Sequence, residues 1–396
     1  MILAALLVPV AVLAIVLLVE RARLPVFLAI MAAVVGYGVA NQMTFSSVSK
    51  AFGLGFVQTL EQVGLLVMAG AIVVRLLGTT AIGTPGAAVS GALAGLGASA
   101  AGGLALLQPV ASGAPRRAVG LLLTLLAAQA LIAPAPLAVA AASVMKLEML
   151  KVLPFALPVA LIAAAVGWLY VGRLLADSGP RARPSWTLIA IAAPIALLVV
   201  AAIAQMPTEP LGKGGAREFY TGIAGPLMLA LLAIALALLA TRRWPTEILA
   251  DTSWAPPLLA VGAAGGLARV FDESGMADLL AERLMRPEFG LLAPFLAAAT
   301  VKTMQGNSLS AVLTASGMTE PMLGALGLDS ATGRALAAAA AGVGSITVVH
   351  LNDPLFWIGA HMAGLSPRRA LLMISLGSAV LGIAALAVLL LVRLVA

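Results

Sequence analysis

The chain has no cysteine and only two histidines, His350 and His361. Without thiols there are no disulfides, thiolate metal centres or cysteine nucleophiles, and two imidazoles cannot build a histidine-rich metal centre. Charge is scarce too: 10% of the 396 residues are Asp, Glu, Lys or Arg against 62% hydrophobic, where a soluble domain carries about 25% charged residues. That balance excludes a soluble globular protein. Also missing is the alternating, roughly ten-residue strand pattern of an outer-membrane barrel. What is present instead is a series of long Ala/Leu/Val/Ile runs, suited to helices that satisfy their own backbone in lipid. The sequence therefore reads as an all-α polytopic membrane protein, with the lipid bilayer as its surroundings and the inner (cytoplasmic) membrane of a bacterium as its place. The formal charge of +7 does not point to nucleic acid, because the arginines fall in short clusters between apolar runs and not in one patch. They read as topology signals. Residues 2–19 lack a basic stretch ahead of them and a cleavage site, and read as a retained first helix.

At about 20 apolar residues per crossing, plain spans are expected near 2–19, 24–40, 54–77, 153–175, 185–205, 221–240, 254–271 and 370–394. Two further apolar regions, 84–114 and 288–318, are too long for one span and too short for two. Both are Gly/Ala/Ser-rich with polar residues in the middle or at the exit, which suits a hairpin that enters the membrane and returns to the same side. Each is followed by an interrupted helix: 117–146, broken at Pro134-Ala135-Pro136, and 331–363, broken between His350 and Pro354. The same order of three spans, hairpin, broken span and final span fills residues 1–176 and again 185–396, joined by a cytoplasmic linker at 177–184. This gives about ten crossings plus two hairpins. An odd number of crossings in the first copy makes the second an inverted repeat. Pro136-Leu137 and Pro354-Leu355 correspond at an offset of 218, which also aligns Leu147 with Leu365. The inverted arrangement places Arg21, Arg23, Arg116, Arg117, Arg173, Arg181, Arg183, Arg242, Arg243, Arg368 and Arg369 on one face, the cytoplasm. Both termini and the segments 206–220 and 272–288 then lie outside.

The residues with chemistry sit in the second half. His350, Asn352 and Asp353 stand beside Pro354 in a strongly apolar stretch, and an ionisable group at membrane depth costs several kcal/mol unless it lines a polar cavity or binds something. A proline there also frees backbone carbonyls for other partners. Asp353 also reads as the cap of a helix beginning at Pro354, and the two readings are compatible. Hairpin tips and broken helices meeting near the midplane bring helix ends together, which describes a solute site. Its expected lining is Gln305, Gly306, Asn307, Ser308 and Ser310 from the hairpin, with Ser345, Thr347 and Asn352 from the break. Hydroxyls and amides donate and accept, and so suit a hydroxylated solute; small-residue helix packing is the plainer reading of each Ser and Thr. His350 and Asp353 are the expected proton-coupling pair, since an imidazole and a carboxylate in a partly dry site exchange protons in the physiological range. Lys302 reads three ways: partner of a solute carboxylate, partner of Asp353, or a stem reaching an interface. Pro134 and Pro136 are candidate wall residues from the first break, which carries no ionisable group.

Residues 343–357, with Gly344-Ser345 and His350-Leu351-Asn352-Asp353-Pro354-Leu355-Phe356-Trp357, resemble the signature near the C-terminus of the gluconate permease family. Gln305-Gly306-Asn307-Ser308 with Thr314-Ala315-Ser316-Gly317 resembles that family's second polar hairpin, and residues 133–142 its Pro-rich segment in the first half. The resemblance implies proton-coupled uptake of gluconate or a related sugar acid, no cofactor, and membership of the wider ion-transporter superfamily. Members of that superfamily pair a scaffold with a moving transport domain, commonly as homodimers. The chain departs from the family at Ala133-Pro134-Ala135-Pro136, where a histidine is usual, and at Gly306-Asn307-Ser308-Leu309, where Gly-Ser-Ala-Thr is usual. The reading from sequence is thus an alternating-access symporter of a small carboxylate and not an enzyme. Two alternatives stand beside it: a Na⁺-coupled carboxylate transporter of the same fold, with amide, hydroxyl and carbonyl oxygens as ligands, and an intramembrane hydrolase using His350 and Asp353, for which no nucleophile–base spacing is present.

Overall fold

The computed structural model describes residues 2–79, 82–176, 188–242 and 252–395. The linker at 177–184, with Arg181 and Arg183, and Arg243 lie outside the described residues. Among the described residues there is no strand. The helices are α1 (Ile2–Glu20), α2 (Val26–Ala40), α3 (Phe45–Leu77), α4 (Thr84–Gly95), α5 (Ala100–Leu106), α6 (Pro115–Leu131), α7 (Pro136–Val144), α8 (Met149–Leu174) and α9 (Ile189–Ala204). They continue as α10 (Gly215–Ile223), α11 (Pro226–Thr241), α12 (Ala255–Asp272), α13 (Met276–Leu284), α14 (Leu292–Gln305), α15 (Ser308–Thr319), α16 (Ala331–Gly344), α17 (Pro354–Ala363) and α18 (Pro367–Val395). Among the described residues four helices are long and apolar enough to cross a membrane, or five if the bent pair α10 and α11 is one span.

Helix starts follow local chemistry. Proline occupies the first turn of α4, α6, α7, α11, α17 and α18, where its missing N–H costs nothing. Ser99, Asn307, Ser330 and Asp353 cap α5, α15, α16 and α17 with side-chain oxygens. The helix expected to begin near residue 54 starts at Phe45 and contains a π-turn at Leu60–Gly64, because Thr44 caps it through Ser47 N. The segments expected outside, 206–220 and 272–288, overlap the short helices α10 and α13.

Packing places the site. Helices α3 and α12 run antiparallel, Phe52 meeting Gly266, Gly55 meeting Gly265, and Gly64 meeting Leu258. A Cβ at Gly265 would collide with Thr59 and the Gly55 carbonyl, so glycine is what lets the two backbones approach. Within each half the first hairpin arm lies on the first segment of the broken helix, α4 on α6 and α14 on α16. Between halves the pairing crosses: α5 packs on α17, and α15 on α7. Last helices α8 and α18 pack together. Both second segments end alike, with Leu147 N on Ala142 O and Leu365 N on Ala360 O, each at 2.9 Å. The left-handed residues in these turns are Lys146 and Gly364.

Candidate functional site

The second hairpin reverses at Gly306, whose φ of 66° is the left-handed region that favours glycine; a Cβ there would strike the Asn352 carbonyl. Asn307 then caps α15, its Oδ1 accepting from Leu309 N at 2.9 Å and Ser310 N at 3.1 Å. Ser310 Oγ donates to Gln305 Oε1 across the tip. The last turn of α14 leaves orphan carbonyls, and the break of the second half supplies their donors. His350 Nε2 donates to Thr303 O at 2.7 Å, and Asn352 Nδ2 lies 3.1 Å from both Thr303 O and Met304 O.

The break accounts for its own backbone as well. Val349 N donates to Ser378 Oγ at 2.9 Å, Val349 O accepts from Ser375 Oγ at 2.6 Å, and Leu351 O accepts from Trp357 Nε1 at 2.8 Å. Val348 sits at a φ of 58°, a strained conformation for a β-branched residue. Asp353 closes the break as the cap of α17, its Oδ1 accepting from Leu355 N at 2.8 Å. Its other oxygen is ion-paired with Lys302, and the two side chains are 4% and 1% exposed. Lys302 Nζ also donates to Gly306 O at 2.9 Å, so one ammonium joins hairpin tip and break.

These elements surround a cavity of about 360 Å³. Its walls include Lys302, Gln305, Gly306, Asn307, Ser308 and Ser310 from the second hairpin and Asn352, Asp353, Pro354 and Leu355 from the second break. The first half contributes Ala98, Ser99, Gln129, Pro136 and Leu137, while α3 and α12 contribute Gln58, Thr59, Gln62, Arg269 and Asp272. Helices α7, α15 and α17 all start at this wall, and their N-termini carry partial positive charge. Polar atoms without hydrogen-bond partners belong to the same residues: Ser308 Oγ, Gln129 Oε1, Asn352 Oδ1 and Arg269 Nε. Arg269 itself is held by Asp272 at 3.3 Å and Glu273 at 2.8 Å. An anionic, hydrogen-bonding solute is what such a wall accommodates.

The expected site residues divide into two groups. Gln305, Gly306, Asn307, Ser308, Ser310, Asn352, Asp353, Lys302 and Pro136 line the cavity. Ser345 and Thr347 do not; they bond back to Gly342 O at 2.7 Å and Val343 O at 2.9 Å, the local habit of helical hydroxyls. Pro134 is absent from the wall. His350 turns the other way, onto a second, mostly apolar cavity of about 570 Å³ beside Val12, Val16, Thr303, Arg368 and Ser375, so it and Asp353 face different spaces. Sequence reasoning missed Gln58, Thr59, Gln62, Gln129 and Arg269. Two glutamines four apart on an apolar helix, and one just before a break, were the available signals. The serines that hold Val349 were missed because they lie in the final helix, far along the chain.

Comparison with known proteins adds the family. The family model described as GntP family permease matches residues 115–395. A low-affinity gluconate transporter of Escherichia coli (strain K12) is 35% identical over 115 residues, 29% of this chain and 26% of that protein. A gluconate permease of Bacillus subtilis (strain 168) is 27% identical over 214 residues, 51% of this chain and 47% of that protein. An uncharacterized permease of Haemophilus influenzae is 34% identical over 110 residues, 28% of this chain and 22% of that protein. The aligned segments thus span between about a fifth and a half of these relatives. With more than half of its length matched by the family model, the chain belongs to the GntP family of permeases.

Proposed function

We propose that this protein is a secondary transporter that carries gluconate or a related small hydroxy or sugar acid across a bacterial inner membrane together with protons, by alternating access. The observation that carries the reading is the convergence of three helix N-termini, a buried lysine and several unpartnered polar atoms on one cavity. That combination favours an anion with hydroxyl groups. Asn307 and Ser308, with Gln305, Gly306 and Asn352, hold the solute. Asp353 carries the proton, because of the expected coupling pair it is the member at the cavity. His350 supports the tip from behind through Thr303 O. The names of the Escherichia coli and Bacillus relatives agree with this solute class.

The inverted-repeat arrangement of 1–176 and 185–396 belongs to the same proposal. Its support is the crossed packing of each hairpin on the other half's broken helix and the common turn at the 218-residue offset. Contacts between residues that the arginine rule puts on one side point the same way. Glu20 Oε1 accepts from Ser366 Oγ at 3.0 Å on the proposed cytoplasmic side, and Lys146 pairs with Glu320 at 2.8 Å on the proposed outer side. A homodimer completes the reading by family resemblance. Sodium coupling is the second reading; it needs loose carbonyls at the tip, whereas those of Thr303, Met304 and Gly306 are occupied by His350, Asn352 and Lys302, which favours protons. A counterflow screen in proteoliposomes with gluconate, glycerate, lactate and citrate tests the solute class: exchange of gluconate or glycerate is expected, and exchange of none of the four defeats it.

A further inference from the structure

We propose that Asp353 and the solute's carboxylate are alternative partners of Lys302, so that each monovalent anion bound places one proton on Asp353 and transport is electroneutral. This rests on the transport reading above and specifies its coupling.

Charge balance at the cavity wall underlies this exchange. The ionisable side chains at the cavity wall are Lys302, Asp353, Arg269 and Asp272, two of each sign. Asp272 and Glu273 hold Arg269, and Asp353 holds Lys302 at almost complete burial. From the other elements at the wall, α3 presents the neutral Gln58, Thr59 and Gln62, while α5, α6 and α7 present Ser99, Gln129 and Leu137. His350 leans away, its Nε2 bound to Thr303 O. An anion arriving beside Lys302 therefore adds a negative charge with no fixed counter-charge left over. Two carboxylates facing one ammonium out of water cannot both stay ionised without large cost.

A proton on Asp353 removes that cost with little rearrangement. Oδ1 keeps its hydrogen bond from Leu355 N, so the cap of α17 persists. Oδ2 takes the proton and leaves the ammonium, and Lys302, still donating to Gly306 O, turns its charge to the solute carboxylate. The proton comes from water on the side to which the cavity is open and returns to water on the other side when the anion leaves and Asp353 re-pairs with Lys302. One O–H bond forms and later breaks, and no net charge crosses.

The test uses the full chain in proteoliposomes with gluconate as probe, recording proton movement with an enclosed pH dye and charge movement on a capacitive membrane electrode. The expected result is one proton per gluconate, no net current, and an uptake rate insensitive to a potassium diffusion potential. Asp353→Asn should exchange gluconate without moving protons, and its net uptake should follow the membrane potential. The double variant Lys302→Gln/Asp353→Asn, which keeps the pair neutral, should lose at least tenfold in gluconate affinity. Net current in the natural chain, proton movement persisting in Asp353→Asn, or undiminished affinity in the double variant each overturns the proposal while leaving gluconate transport standing. Absence of counterflow with gluconate, glycerate, lactate and citrate alike in the natural chain removes the transport reading and the proposal with it.

Discussion

Lys302→Met isolates the physics at the centre of this site. The substitution keeps an unbranched side chain of similar length but removes the ammonium that pairs with Asp353 and donates to Gly306 O. With both partners nearly inaccessible to water, the remaining carboxylate is a buried charge without a counter-ion, which costs about 3–5 kcal/mol. The stranded Gly306 carbonyl adds about 1–3 kcal/mol. Against a total stability of about 5–15 kcal/mol, that sum lowers folded protein in the membrane severely. Lys302→Met/Asp353→Asn restores much of the loss, because replacing both members of a buried pair is often neutral or stabilising. Thermal melting of detergent-purified protein, followed by size-exclusion fluorescence, reads both variants. Equal melting of Lys302→Met and the natural chain, or a double variant less stable than the single one, refutes the reasoning.

Other predictions follow from the same geometry. Gly306→Ala, at a φ of 66° and against the Asn352 carbonyl, costs more than the roughly 1–2 kcal/mol of left-handed strain alone; Gly113→Ala, at 75° with open space around it, costs only the strain, and melting of both variants checks the difference. Ser308→Ala weakens gluconate binding at unchanged abundance by roughly 1.5–3 kcal/mol if its hydroxyl meets the solute carboxylate, whereas unchanged counterflow affinity moves the solute elsewhere. Single cysteines at Lys146 and Glu320 react with an impermeant thiol reagent from one face, and ones at Arg21 and Arg369 from the other; the natural chain has no cysteine to confuse the result. Labelling of Lys146 and Arg369 positions from the same side contradicts the topology. Lys146 holds the exposed Glu320 carboxyl below the usual carboxylate range by a direct hydrogen bond. That pair's contribution is therefore present above the ordinary carboxylate pKa and lost as pH falls through the lowered one. Being at the surface it is weak, so Lys146→Ala should move the melting temperature far less than Lys302→Met at neutral pH.

The helices were legible because hydropathy and proline position report directly on backbone requirements in lipid: Pro136 starts a helix at the expected first break and Pro354 starts one where the sequence suggested it. The second hairpin tip and break were legible for a related reason, that Gly306, Asn307 and Asp353 are costly in an apolar run unless they reverse or cap the chain there. Direction was harder to read. His350 and Asp353 are three residues apart, yet the strained turn at Val348 and the capping of α14 aim the imidazole and the carboxylate into different cavities. Ser345 and Thr347 looked like ligands by composition, but a hydroxyl on a helix has a carbonyl one turn back within reach. The contribution of α3 and α12 depends on the glycine contact between Gly55 and Gly265, a pairing of residues more than 200 positions apart that no local pattern encodes.

Gluconate accumulation under separately imposed ion gradients separates proton coupling from sodium coupling. Proteoliposomes containing the full chain are given either a pH gradient in sodium-free buffer or a sodium gradient at equal pH on both sides. Proton coupling through Asp353 gives uphill gluconate uptake with the pH gradient alone, lost in Asp353→Asn. Accumulation driven only by sodium, or driven by the pH gradient just as well in Asp353→Asn, contradicts it.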